Sequence, residues 1–219
     1  MSVQTNSNAP LKVGMISLGC AKNLVDAEVM MGSLLKQGFE ITNKNGEADA
    51  LIVNTCSFID AAQEESVDTI LESTDFREHA NIGQAVIVSG CLSQRYRKEL
   101  PVLMPEVDAF MGIDQVEEVG DIVRQAVNNR SSRVNDPIAE ERDPIELGRA
   151  GGGETEKVIL EGKTNEHPDI VGQPVVEIHS RPDYIPKFET PRFRLTPKHF
   201  AYVKIAEGCN HPCSFCIIP

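Results

Sequence analysis

The sequence has no apolar run approaching the ~20 residues that a membrane-crossing helix needs. Its opening residues, Met1-Ser2-Val3-Gln4-Thr5-Asn6-Ser7-Asn8, are polar and lack the apolar stretch of a secretory signal. Positive charge is scarce: 21 Lys and Arg stand against 33 Asp and Glu, a formal net charge of −12. Such a chain is a poor generic binder of phosphate backbones, so nucleic acid is not expected as a primary target. Six cysteines in 219 residues do not read as a disulfide framework. The expectation is a cytoplasmic protein, off the membrane, where thiols stay reduced and grouped cysteines serve metals or catalysis. Apolar residues make up 41%, enough for a core, and the length suits one or two domains.

Three of the cysteines, Cys209, Cys213 and Cys216, fall in the pattern C-x3-C-x2-C. They follow an apolar run, Tyr202-Val203-Lys204-Ile205-Ala206, that reads as a strand. A tight loop of this kind aims three thiolates at one point. Three thiolates hold three irons of a cubane cluster and leave the fourth iron open to a small chelating ligand. The alternative is zinc bound by the three cysteines and His211. His211, however, lies inside the ligand loop, where closing back onto the same metal is strained.

Strands and helices alternate through the first half of the chain. Val13–Leu18, Phe39–Thr42, Ala50–Asn54, Ala85–Ser89 and Val107–Met111 read as strands. Leu24, Ala27, Met30, Met31, Leu34 and Leu35 recur at helical spacing, as do Val116, Val119, Val123, Ala126 and Val127. Residues 59–73 read as a helix with Val67, Ile70 and Leu71 inward. The fold class expected is α/β: an open, mostly parallel sheet with helices on both faces.

The other three cysteines are placed in a regular way. Cys20, Cys56 and Cys91, 36 and 35 residues apart, each lie just past the end of an expected strand. In an open α/β sheet the ligand crevice lies beyond the carboxyl ends of the strands. A lone cysteine is often only a small buried hydrophobe. Three at equivalent strand ends, beside Gly19, Gly90 and the polar Asn54-Thr55, again offer three thiolates and one open metal position.

Residues 131–180 hold five basic and eleven acidic side chains, half of the chain's net charge, and are rich in Gly and Pro. They read as an irregular acidic linker with one short strand at 175–178. Two suggestive strings fall here. Gly162-Lys163-Thr164 ends like a phosphate loop but has Lys157 where the first glycine belongs. Gly151-Gly152-Gly153-Glu154 precedes the cysteine loop it would have to follow. Both read as linker. The divisions expected are 11–128, 129–195 and 196–219.

The cysteine loop resembles that of the radical S-adenosylmethionine superfamily. With the second trio it resembles the methylthiotransferase family. The residues that carry this are Ser17-Leu18-Gly19-Cys20-Ala21-Lys22-Asn23-Leu24-Val25-Asp26-Ala27-Glu28, Asn54-Thr55-Cys56-Ser57-Phe58-Ile59-Asp60-Ala61-Ala62, Gly90-Cys91-Leu92-Ser93-Gln94-Arg95-Tyr96 and Lys204-Ile205-Ala206-Glu207-Gly208-Cys209. They look like the branch that modifies ribosomal protein S-12 rather than the branch that modifies transfer RNA. The resemblance implies two 4Fe-4S clusters, one on Cys20, Cys56 and Cys91, the other on Cys209, Cys213 and Cys216. It implies S-adenosylmethionine as methyl and radical source, and a methylthio group added to the β-carbon of an aspartate. It also implies the ribosomal protein or small ribosomal subunit as partner, and an electron donor such as flavodoxin or ferredoxin. Phe215, between two ligands, reads equally as a cluster shield or as core packing. The radical barrel expected after the loop is represented by one strand, so the chain is expected to be a truncated piece without turnover of its own. Two readings rival this one: a transfer-RNA methylthiotransferase, and a zinc or iron–sulfur module without catalysis.

Overall fold

The computed structural model describes residues 9–135, 174–179, 182–211, 213 and 214. Strand β1 (Lys12–Ser17) leads into helix α1 (Ala21–Lys36), followed by β2 (Glu40–Ile41) and β3 (Ala50–Thr55). Helix α2 (Asp60–Ala80), β4 (Ala85–Gly90) and two short helices, α3 (Cys91–Arg95) and α4 (Leu100–Leu103), come next. Then follow β5 (Ala109–Met111), α5 (Val119–Asn135) and β6 (Val175–Glu177). The six strands form one parallel sheet in the order β2-β1-β3-β4-β5-β6. The open α/β architecture expected from the alternation is the one observed.

Strands covered on both faces must be apolar on both, and β3 and β4 are buried at every position. Alternate residues serve opposite layers. Val13, Ala50, Ile52, Ala85 and Ile87 pack against Val29, Met30 and Leu34 of α1 and Ile122, Val123 and Ala126 of α5. Val53, Val88 and Phe110 pack against Ile70 of α2, Leu92 of α3 and Leu100 of α4. Each of the larger side chains contributes roughly 1.5–3 kcal/mol by leaving water, the alanines less. No described helix is long and apolar enough to cross a membrane.

Two expectations need correction. Helix α2 extends to Ala80, and Leu71, expected inward, is 45% exposed. The inward stripe of α2 is Ser66, Ile70, Ser73, Thr74 and Arg77, a helical period written mostly in polar residues, which an apolar pattern search does not register. The run 199–205 makes no strand; its backbone is irregular, and Val203 and Ile205 are 76% and 83% exposed. A strand requires a neighbour to take its peptide hydrogen bonds, and among the described residues none lies beside it. The short strand expected at 175–178 is present as Val175–Glu177, which joins β5 at the sheet edge, and α5 runs on to Asn135.

At the amino ends of the strands sits a buried charge cluster. The Asp108 carboxylate accepts from the Val86 amide at 2.8 Å, pairs with Arg77 at 2.9 Å and reaches Arg133 at 3.3 Å. Burial pushes the Asp108 carboxyl up; the Val86 amide, Arg77 and Arg133 work the other way. Removing one member leaves an opposite charge buried without its full complement, which typically costs about 3–5 kcal/mol. Arg77→Met is therefore expected to lower the unfolding free energy by about that much in urea titration; a loss below about 1 kcal/mol would show the cluster to be dispensable.

Candidate metal centre at the sheet rim

From β1 the chain steps to β2 on one side, while β3 lies on the other. The sheet order therefore reverses between β1 and β3, which is where open α/β sheets form their ligand crevice, beyond the carboxyl ends. Cys20 lies three residues past β1, Cys56 directly follows β3, and Cys91 directly follows β4. The ladder register pairs Ser17 with Asn54 and Thr55 with Gly90, so the three exits are level with one another. Cys20 is exposed, Cys91 half-buried and Cys56 buried, an arrangement that runs from the open edge of the crevice inward.

Two glycines make the approach possible. Gly19 has φ +92°, and a Cβ on it would come within 2.6 Å of the Cys56 Cβ and 2.9 Å of its sulfur. Gly90 has φ +94°, and its Cβ would lie 2.4 Å from the Thr55 carbonyl. Any other residue would be strained in backbone and blocked in space.

Polar side chains behind the cysteines fix their backbones. The buried Asn23 amide donates to the carbonyls of Leu18 (3.1 Å) and Thr55 (2.7 Å), while its oxygen accepts from the Cys91 thiol at 3.4 Å. Asn54 donates to the Asn23 carbonyl at 2.9 Å. The Ser66 hydroxyl accepts from the Cys56 amide at 3.0 Å and turns its proton toward the carbonyls of Cys56 and Ala62. Burial pushes the Cys91 thiol up to about 12; Cys56 and Cys20 add to this and Lys22 opposes it. Cys91 thus feels the other two sulfurs, and the Lys22 ammonium opposes them.

Among the described residues no group of three His, Cys, Asp or Glu side chains is gathered tightly enough for a single metal ion. A polynuclear cluster asks for something looser, because each thiolate binds a different iron. Three soft sulfurs on one rim, a nearby cation, and Cys20 at the positive amino end of α1 suit an anionic thiolate-bound cluster.

Of the second trio, Cys209 and Cys213 are exposed, and Cys216 lies outside the described residues, as do Phe215 and the glycine strings at 151–154 and 162–164. The chain turns at Gly208, φ +73°, immediately before Cys209. The His211 amide donates to the Cys209 sulfur at 3.4 Å, and the Cys213 amide to the His211 carbonyl at 3.0 Å.

Helix α1 joins the two regions, a role its sequence only hinted at through two acids, Asp26 and Glu28, among its apolar positions. The Glu28 carboxylate binds Arg192 and accepts from the amides of Leu195 (2.7 Å) and Thr196 (3.2 Å). Lys204 pairs with Asp26 at 2.7 Å and with Glu207, and Glu207 pairs with Lys22. Burial pushes the Asp26 carboxyl up to about 6 against the pull of Lys204, with Glu207 adding to the rise. Burial also works against the charge of Lys204, but Asp26 and Glu207 together hold it above its ordinary range.

Residues 12–112 match the family described as uncharacterized protein family UPF0004. The stretch includes Cys20, Cys56 and Cys91. The chain is also 44% identical over 212 residues to a protein of Akkermansia muciniphila named ribosomal protein uS12 methylthiotransferase RimO, covering 96% of this chain and 38% of that relative. Relatives of the same name from Opitutus terrae (44% identity, 95% of this chain, 37% of the relative) and Koribacter versatilis (43%, 96% and 41%) match similarly. The chain spans about two fifths of the length of these curated relatives.

Asn23→Ala is expected to strand two carbonyls at the rim and to cost roughly 1–3 kcal/mol in urea titration; an unchanged midpoint would mean water replaces the amide freely. A second expectation concerns pH. The folded chain holds the Asp26 proton more tightly than the unfolded chain, since the pKa rises from 3.8 to about 6. Its contribution to stability is full below about pH 4 and is lost as pH rises through about 6. The stability of the native chain relative to Asp26→Asn should accordingly decline between those values, and a difference that grows with pH would contradict the assignment.

Proposed function

We propose, for a chain that belongs to the methylthiotransferase family and spans about two fifths of the length of its relatives, the sulfur-donating part of a radical enzyme that adds a methylthio group to an aspartate of ribosomal protein S-12. The observation that carries this reading is the delivery of three cysteines by three adjacent parallel strands to the crevice where the sheet order reverses. Cys20, Cys56 and Cys91 would hold one 4Fe-4S cluster. Cys209, Cys213 and Cys216 would hold the other, which binds S-adenosylmethionine. The aspartate β-carbon carries an unactivated C–H bond that acid–base groups cannot open, and the bound cofactors supply the one-electron chemistry and the sulfur.

The chain's own residues do the placing. Ser66 fixes the peptide at Cys56, and Asn23 ties the exits of β1 and β3 to the Cys91 thiol. The two glycines let the exits close on one another. Lys22 offers a positive charge beside a site that is anionic when filled. The exposed Cys20 lies at the solvent edge of the crevice. Electrons would come from a small carrier such as flavodoxin or ferredoxin, and the reaction belongs to the cytoplasm.

The test is metal analysis of anaerobically prepared protein. Iron and sulfide with brown absorbance are expected. Cys56→Ala should lose the iron of the rim site and keep that of the second. Stoichiometric zinc in a colourless sample would replace this reading with a metal-binding module lacking catalysis. Mass analysis of ribosomal protein S-12 and of transfer RNA, each incubated with S-adenosylmethionine, reductant and the full enzyme, distinguishes the substrates: the methylthio group is expected on the protein.

A further inference from the structure

Two cysteine sites that act on one substrate must be held against each other, and four charged side chains lie between them. Glu207, two residues before Cys209, has a side chain only 2% exposed and pairs with Lys22, two residues after Cys20. Its other oxygen pairs with Lys204, and Lys204 reaches Asp26 at 2.7 Å, one turn beyond Lys22 on α1. The charges alternate in sign and cancel. The side chains of Asp26, Lys204 and Glu207 are 1–3% exposed and are shielded from salt and water, while Lys22, at the crevice edge, is 33% exposed.

The rest of this segment is secured differently. Glu28 grips Arg192, Leu195 and Thr196, the Phe193 amide donates to the Glu28 carbonyl at 2.8 Å, and Gly32 leaves room for the backbone of Pro191 and Arg192. Direct contacts of Glu28 stop at Thr196, and Arg192 and Arg194 extend the hold to the carbonyls of Tyr202 (2.8 Å) and Phe200 (2.5 Å). From 199 to 206 no ladder fixes the chain, and Val203 and Ile205 face solvent. The approach to Cys209 is anchored to α1 by Lys204 and Glu207. Buried ion pairs contribute little net stability against a well-packed apolar alternative, and their best-attested use is to specify one arrangement over others.

We propose that Glu207 is a positioning residue: by gripping Lys22 across the crevice it sets the Cys209 loop at a fixed distance and orientation from the Cys20, Cys56 and Cys91 rim. The inference rests on reading the two trios as cluster sites, but the Glu207–Lys22 pair involves no cysteine and is testable in metal-free protein.

Two readouts on the full chain separate these levels. In metal-free protein, backbone 15N order parameters of residues 203–209 are expected to fall from rigid values of about 0.85 to below about 0.6 in Glu207→Gln, with β3 and β4 unchanged. In iron-loaded protein, electron paramagnetic resonance of the reduced state is expected to show spin–spin broadening between the two clusters. Glu207→Gln should lose that broadening at unchanged iron per chain. Lys22→Met removes the grip from the other side and must give the same loss of order, which guards against a folding defect peculiar to one variant. Unaltered order parameters at 203–209, or unaltered broadening at full iron content, overturns the proposal. If the native chain binds no iron, the cluster reading fails, and the relaxation experiment still decides whether Glu207 holds the loop.

Discussion

The parallel ladder between β1, β3 and β4 is the constraint on which the molecule depends. Parallel pairing sends every strand out at the same edge, and the register between neighbours sets the exits level. Three side chains distant in sequence are thereby brought to one rim without any loop having to reach. The burial of β3 and β4 on both faces keeps that register from slipping, since a shift of one residue would turn every side chain to the wrong layer. The chemistry at the rim inherits its accuracy from the apolar layers beneath it.

Helix α1 serves two masters. One side, with Val29, Met30 and Leu34, closes the core. The other carries Asp26, Glu28 and the gap at Gly32, and receives the chain 190–207. Its amino end begins at Cys20. A single rigid element therefore touches the core, the rim and the segment leading to the second cysteine loop. Motion of one relative to another must pass through it.

Much of this was legible in the sequence. Strand ends were marked by Gly19, Gly90 and the polar Asn54-Thr55, and the cysteines could be placed on one edge before any coordinates. What escaped were the residues whose meaning depends on distant partners. Asp26 is 178 residues from Lys204, and nothing local in either says that they meet. Ser66 and Arg77 occupy inward positions of α2 that an apolar search passes over, because each is satisfied by a hydrogen bond or ion pair available only in the folded chain. The run 199–205 has the composition of a strand but lacks a neighbour among the described residues, and composition alone does not supply one.

The buried charges of Asp108, Arg77 and Arg133 cap the strands at the edge opposite the cysteines. Robustness and reactivity are consequently lodged at opposite poles of the sheet. An engineer seeking heat tolerance can work on the α2 and α5 pole, where Glu78 already bridges Arg77 and Arg130, and leave the sulfur-bearing pole untouched.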